Sequence, residues 1–139
     1  MGEELCSLYS RLYNLNSISL RIGLVLDWED LSEIPSGWWP NLLWGGVDVR
    51  DVAQAIEASL KTEAMAKDER FFITAADQFS PEHVPTLVEK HFPKVSISKD
   101  FLSKERSSFF AISKAMRMLG YQPKYDYYTY VESQKRNDL

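Results

Sequence analysis

GEELCSLYSRLYNLNSISLRIG, residues 2–23, carries two different periodicities back to back. Leu5, Leu8, Tyr9, Leu12 and Tyr13 recur at three- and four-residue spacing, which predicts an amphipathic helix over residues 2–14 with one apolar face to be covered. Ser17-Ile18-Ser19-Leu20-Arg21-Ile22 then alternates polar and apolar residues, and Leu24-Val25-Leu26 carries the apolar run on past Gly23, so this part is predicted to be a strand. A helix feeding a strand is half of an α/β alternation. The periodic pattern starts at once, without the Ser, Thr, Asp or Asn cap that the first four amides of a helix need.

The alternation continues downstream. Val47-Asp48-Val49 is a short strand candidate, and Val52, Ala53, Ala55, Ile56 and Leu60 mark a helix over residues 50–61, with Asp48 or Asp51 placed to cap it or complement its dipole. Residues 70–75 (RFFITA) form a buried strand. Ser80-Pro81-Glu82 reads as a helix start, with Val84, Leu87, Val88 and Phe92 as the buried stripe and Pro93 as the stop; Pro85 falls in the first turn. Val95 and Ile97 suggest a short edge strand, and residues 107–110 fit no pattern. Ala111, Ala115, Met118 and Leu119 suggest a short helix ended by Gly120. From Lys124 the tail carries Tyr125, Tyr127, Tyr128 and Tyr130, too aromatic for a disordered tag, with residues 134–139 expected to fray. Between the first strand and the second, residues 27–46 show no period and hold all four tryptophans, Trp28, Trp38, Trp39 and Trp44; so long a connection without structure points to a lid or binding loop.

At 139 residues, 45% apolar and 26% charged, the whole chain is expected to form one unit with its own core, an α/β sheet of about three strands with flanking helices. A net charge of −4 with both signs interspersed argues against a nucleic-acid partner. No apolar run reaches the roughly 18–20 residues of a membrane helix, and no signal-peptide layout is present, so a cytoplasmic location is expected. The single cysteine, Cys6, sits between Leu5 and Leu8 on the helical stripe and reads as a small apolar residue.

Chemistry-bearing patterns are few. His83 and His91, the only histidines, stand eight residues apart, about 12 Å along a helix, which is too far to share a metal. No serine sits in a Gly-x-Ser-x-Gly elbow. The six glycines (Gly2, Gly23, Gly37, Gly45, Gly46, Gly120) make no phosphate-cradling loop. Asp27, Glu29, Asp30 and Glu33 could act as acid/base groups, but such a cluster is usually a solvated loop. Tryptophans in an irregular loop need something to pack on: a ligand, a partner or the core.

Four stretches in order, GEELCSLYSRLYNLNSISLRIG, VDVRDVAQAIEASL, FFITAADQFS and SKAMRMLGYQPKYD, resemble the C-terminal half of extended short-chain dehydrogenase/reductases, the NAD-dependent epimerase/dehydratase family. The resemblance spans residues 2–126 and implies a partial Rossmann-like fold. It further implies that the catalytic tyrosine and lysine of a complete subunit would stand before Met1, on the first turns of the opening helix, and that the Gly-rich dinucleotide loop would stand earlier still. The tyrosine would be the general acid/base on the substrate, the lysine would lower its pKa and hold the ribose, and the cofactor, NAD or NADP, would exchange a hydride. No residue of this chain is assigned a catalytic role, and none is expected to bind a dinucleotide without that half.

By the same resemblance, Ile22, Gly23 and Leu24 would pass near the nicotinamide, and the loop from Trp28 to Trp44 would lie over the substrate. Arg50, at the start of the next helix, would reach the substrate or serve the cap. Leu24 departs from members with a small polar residue at that position, which removes one expected polar contact. The implied substrate is sugar- or uronate-like. The implied partners are a nucleotide-binding half and a second copy of the chain, because the first helix and strand would otherwise expose apolar surface. The alternative is a non-catalytic, self-associating module.

Overall fold

The computed structural model describes residues 2–27, 36–62 and 67–137. Its elements are α1 (Gly2–Tyr13), β1 (Ser17–Ile22), β2 (Leu24–Leu26), β3 (Gly46–Asp48), α2 (Val49–Lys61), β4 (Asp68–Ile73), α3 (Val84–His91), α4 (Lys99–Leu102), α5 (Ser113–Leu119) and α6 (Tyr127–Asn137). This is the expected mixed α/β class. There are four described strands, however, in two parallel pairs, β1 with β4 and β2 with β3.

The predicted continuous strand over residues 17–26 is broken at Gly23, where the chain changes partners. The Gly23 amide donates to the Ile73 carbonyl (3.0 Å), and the next amide, of Leu24, donates to the Gly45 carbonyl (2.8 Å). β3 thereby inserts beside β2, and the chain beyond β4 joins it through the Ala75 amide and the Gly46 carbonyl (2.8 Å). Only glycine permits this crossing, because a Cβ on Gly23 would lie 2.2 Å from the Gly45 oxygen.

The two faces of the β1–β4 pair differ. Ile18, Leu20, Phe71 and Ile73 point to one side and join Val52 and Ala55 of α2, Ala115 and Leu119 of α5, and Tyr121 in the main core. Ser17, Arg21, Asp68 and Arg70 point to the other, where α1 meets them with polar side chains. Ser7 donates to Asp68, Ser10 donates to the Lys67 and Leu15 carbonyls, and Glu3 pairs with Arg21 and with Arg70. The apolar stripe of α1 consequently faces outward: Leu5, Leu8, Tyr9, Leu12 and Tyr13 are 41–65% exposed.

α2 is capped by Asp48, whose side chain accepts the Arg50 amide at 2.8 Å. α5 ends at Gly120 in the left-handed conformation (φ 72°), as its place after the last periodic residue predicts. Two sequence expectations are corrected. α3 begins at Val84, three residues after the predicted Pro81 start, because a helix from Pro81 would put Pro85 in its interior, without an amide and against the carbonyl four residues back. Ser80 instead closes a turn, its Oγ accepting the Glu82 amide (3.1 Å). The segment holding Val95 and Ile97 is not a strand, and Val95 is 56% exposed. The aromatic tail forms α6, which Asp126 starts by accepting the Thr129 amide (2.9 Å); its backbone is helical through Asn137.

Candidate functional site

A crevice of about 450 Å³ opens at the carboxyl ends of β1 and β4, where the chain passes from one strand pair to the other. In open α/β sheets this is where ligands bind, because the loops diverge there and leave a cleft. Ile22, Gly23 and Leu24 form one wall, Leu42, Leu43 and Gly45 another, and Phe72, Thr74 and Phe110 the floor. The floor is fixed by packing and hydrogen bonds. The Phe72 and Phe110 rings lie 5.4 Å apart, the buried Thr74 hydroxyl pairs with that of Ser108 at 2.8 Å, and the Tyr121 hydroxyl donates to the Thr74 carbonyl at 2.9 Å. Burial pushes the Tyr121 hydroxyl well above the ordinary tyrosine range, so it remains a donor.

Leu43 and Trp44 both adopt left-handed backbone (φ 49° each), an uncommon conformation for large side chains. It is held by the Trp44 amide on the Trp39 carbonyl (3.0 Å) and the Gly45 amide on the Leu42 carbonyl (3.0 Å). Strain of this kind persists only where the surroundings enforce it, and here it lines a cleft. Arg21 is the charged group of the crevice. Glu3 grips its guanidinium through two contacts (2.6 and 2.7 Å), holding it above its ordinary pKa, and the guanidinium carbon lies 5.3 Å from the Phe72 ring centre.

The structure brings together Ile22, Gly23 and Leu24 of the residues singled out by sequence. Trp44 lies elsewhere: it is 5% exposed, edge-on to His91 and Phe92 and against Phe109, an anchor between its loop and α3. Arg50 pairs with Asp48 at 2.8 Å and lies 3.6 Å over the Tyr125 ring, while the neighbouring Asp51, 2% exposed, accepts the Lys124 and Tyr125 amides at 3.0 Å. Burial raises the Asp51 pKa against the lowering by those two amides. These contacts tie the start of α2 to the C-terminal segment. Trp28, Glu29, Asp30 and Glu33 lie outside the described residues. Sequence reading missed Thr74, Ser108 and Phe110; the only signal was the patternless stretch at 107–110, which pairing across the cleft explains.

Among the described residues no group of His, Cys, Asp or Glu gathers to hold a metal ion, and no helix is long and apolar enough to cross a membrane. Burial, and then the nearby Asp126, push the carboxyl of Asp77, which pairs with Arg106 away from the crevice lining, up to about 6.

No protein-family model and no curated protein sequence matches the chain. Among solved structures it is similar to the UDP-glucuronic acid 4-epimerase of Bacillus cereus, crystallised with UDP-glucuronic acid and NAD, at a TM-score of 0.53 and 18% sequence identity. The match covers 94% of this chain and 50% of that one, so the chain spans half the length of the epimerase. The likeness is one of fold, an epimerase-like α/β arrangement.

Proposed function

We propose that this chain is the substrate-facing part of an NAD(P)-dependent epimerase, dehydratase or uronate-like sugar dehydrogenase, inactive on its own. The observation that carries the reading is the crevice at the strand switch, with Ile22-Gly23-Leu24 along one wall and room for a monosaccharide or a nicotinamide ring. The step from fold to chemistry is one of analogy with the epimerase. The residues present do not fit a whole dinucleotide: no glycine loop offers amides to a pyrophosphate, so no hydride step is derived for this chain. Its own contribution is to shape the cleft, exclude water with Phe72, Phe110 and Leu43, and fix the Glu3-paired Arg21 guanidinium at its edge. β1 is paired with β4 alone among the described strands, and its other edge is where a nucleotide-binding half would continue the sheet.

Amide NMR titration with UDP-glucuronic acid tests the reading. Weak, millimolar-range shifts centred on Ile22–Leu24, Thr74 and Phe110 are expected, and calorimetry with NAD should give no saturable signal. Saturable micromolar NAD binding by the chain alone, or shifts centred away from the crevice, contradicts it.

A second reading is favoured by the outward stripe of α1. Such a face on a soluble chain is most economically covered by a second copy about a two-fold axis. Light scattering across micromolar concentrations should show a dimer or larger assembly; a clean monomer refutes it.

A further inference from the structure

Beside Trp44, five aromatic side chains from three separate stretches of chain line a half-open hollow of about 160 Å³. Trp39 and Trp44 come from the loop before β3, Phe79 from the segment after β4, and Tyr127 and Tyr130 from α6. Phe79 is the hub. Its ring stacks on Trp39 (centres 6.1 Å apart, 14° between planes), takes Tyr127 edge-on at 6.0 Å and meets Tyr130 at 6.5 Å. An enclosed apolar cavity of roughly 150 Å³ accepts one benzene-sized ring, and this hollow has similar room with one side open to solvent. Aromatic walls add favourable ring–ring geometry that aliphatic walls lack.

The rim decides the charge of the guest. Arg106 donates to the Ser80 carbonyl through both terminal nitrogens (3.2 Å each), lies 3.7 Å over the Tyr128 ring and reaches Asp77 at 3.4 Å. Arg106 and Asp77 answer each other's charge at this edge, which leaves no net charge there to hold an ion, and a neutral guest fits. Ser80 also lines the hollow, and its Oγ accepts the Glu82 amide, which leaves the hydroxyl hydrogen to give to an acceptor. Two of the five walls, Tyr127 and Tyr130, belong to α6, whose first turn is pinned by Asp77 accepting the Tyr127 amide (3.5 Å) and by the stacking of Tyr128 on Arg106.

We propose that the hollow beneath α6 is a binding site for a neutral, single-ring aromatic compound bearing an oxygen acceptor, distinct from the crevice at the strand switch. The site recognises the ring through Phe79, Trp39 and Tyr130 and the oxygen through Ser80.

Phenol, titrated against the full chain and followed by tryptophan fluorescence and amide NMR, is the test. Saturable binding is expected, with shifts centred on Trp39, Phe79 and the first turn of α6, and tetramethylammonium should not compete. Phe79→Leu removes the central ring and should weaken phenol roughly fivefold or more. Should that variant fail to fold, Tyr130→Leu, on the half-buried α6 wall, should weaken binding by a similar factor with an unchanged circular dichroism spectrum. The proposal is overturned by non-saturable phenol shifts, by shifts centred on Ile22–Leu24, by competition from tetramethylammonium, or by a folded Tyr130→Leu variant that binds as well as the parent chain.

Discussion

α1 and α2 cover opposite faces of the same two strands, and they do so with opposite chemistry. α2 buries Val52 and Ala55 against Ile18, Leu20, Phe71 and Ile73, and turns Arg50, Glu57 and Lys61 to solvent while Asp51 is buried on the Lys124 and Tyr125 amides. α1 presents Ser7, Ser10 and Glu3 to the sheet and turns its leucines and tyrosines away from it. Both are amphipathic, so amphipathicity marks which side is apolar and not which side faces the sheet. The difference lies in the strands: their alternation places Ile18, Leu20, Phe71 and Ile73 under α2, and Ser17, Arg21, Asp68 and Arg70 under α1.

The contrast is open to four measurements. The largest effect is expected on the α2 side, where Phe71→Ala should cost about 3–5 kcal/mol in urea unfolding, as for any large buried ring. A loss below about 1 kcal/mol would mean that this face is not the core.

Acid should next separate the two helices. Glu3 and Asp68 under α1 have lowered pKa values, Glu3 through Arg21 and Asp68 through the Ser7 hydroxyl. Their stabilising contribution is present above the ordinary carboxylate range and is lost as pH falls through the depressed values. Asp51 on α2 is raised by burial, so its contribution has the opposite sign, fullest below its ordinary value of 3.8 and declining as pH rises through the elevated one. Amide exchange compared at neutral pH and near pH 3 should therefore show α1 losing protection before α2. Simultaneous loss would erase the distinction.

Ser10→Ala should cost about 1 kcal/mol. Ser10 is 1% exposed and donates to two carbonyls, one of which, of Lys67, keeps the Ser17 amide. The smallest effect is expected from Leu8→Gln combined with Leu12→Gln. Exposed positions change monomer stability by less than about 0.5 kcal/mol, but in sedimentation this pair should lower the proposed self-association to a monomer. Destabilisation as large as that of Phe71→Ala would show that the stripe is buried within the same chain.

Much of the site was hidden from sequence reading for a related reason. The chain wall Ile22-Gly23-Leu24 is legible only through the family resemblance, which runs it past the nicotinamide. Thr74 and Phe110 are not legible, because their pairing with Ser108 and Phe72 joins positions more than thirty residues apart. The resemblance lays the loop from Trp28 to Trp44 over the substrate, while the aromatic residues alone leave ligand, partner and core open; the fold seats Trp44 on His91 and Phe92, a contact that local pattern does not encode. Pro85 shows how one local rule yields to another: Ser80-Pro81 has the composition of a helix start, but a proline four residues further on excludes it.

What the sequence determined by itself was therefore the elements with a clear period, α1, β1, α2, β4 and α5: period fixes helix or strand there within a few residues, Asp48 and Gly120 mark ends, and alternation assigns residues to two faces. What only the tertiary structure decided was partnership. That the apolar side of α1 points outward, that Gly23 hands its chain from β4 to β3, and that five distant rings line one hollow all follow from which surfaces meet. The physical reason is that periodicity is a property of neighbours in the chain, whereas burial and strand pairing are properties of neighbours in space.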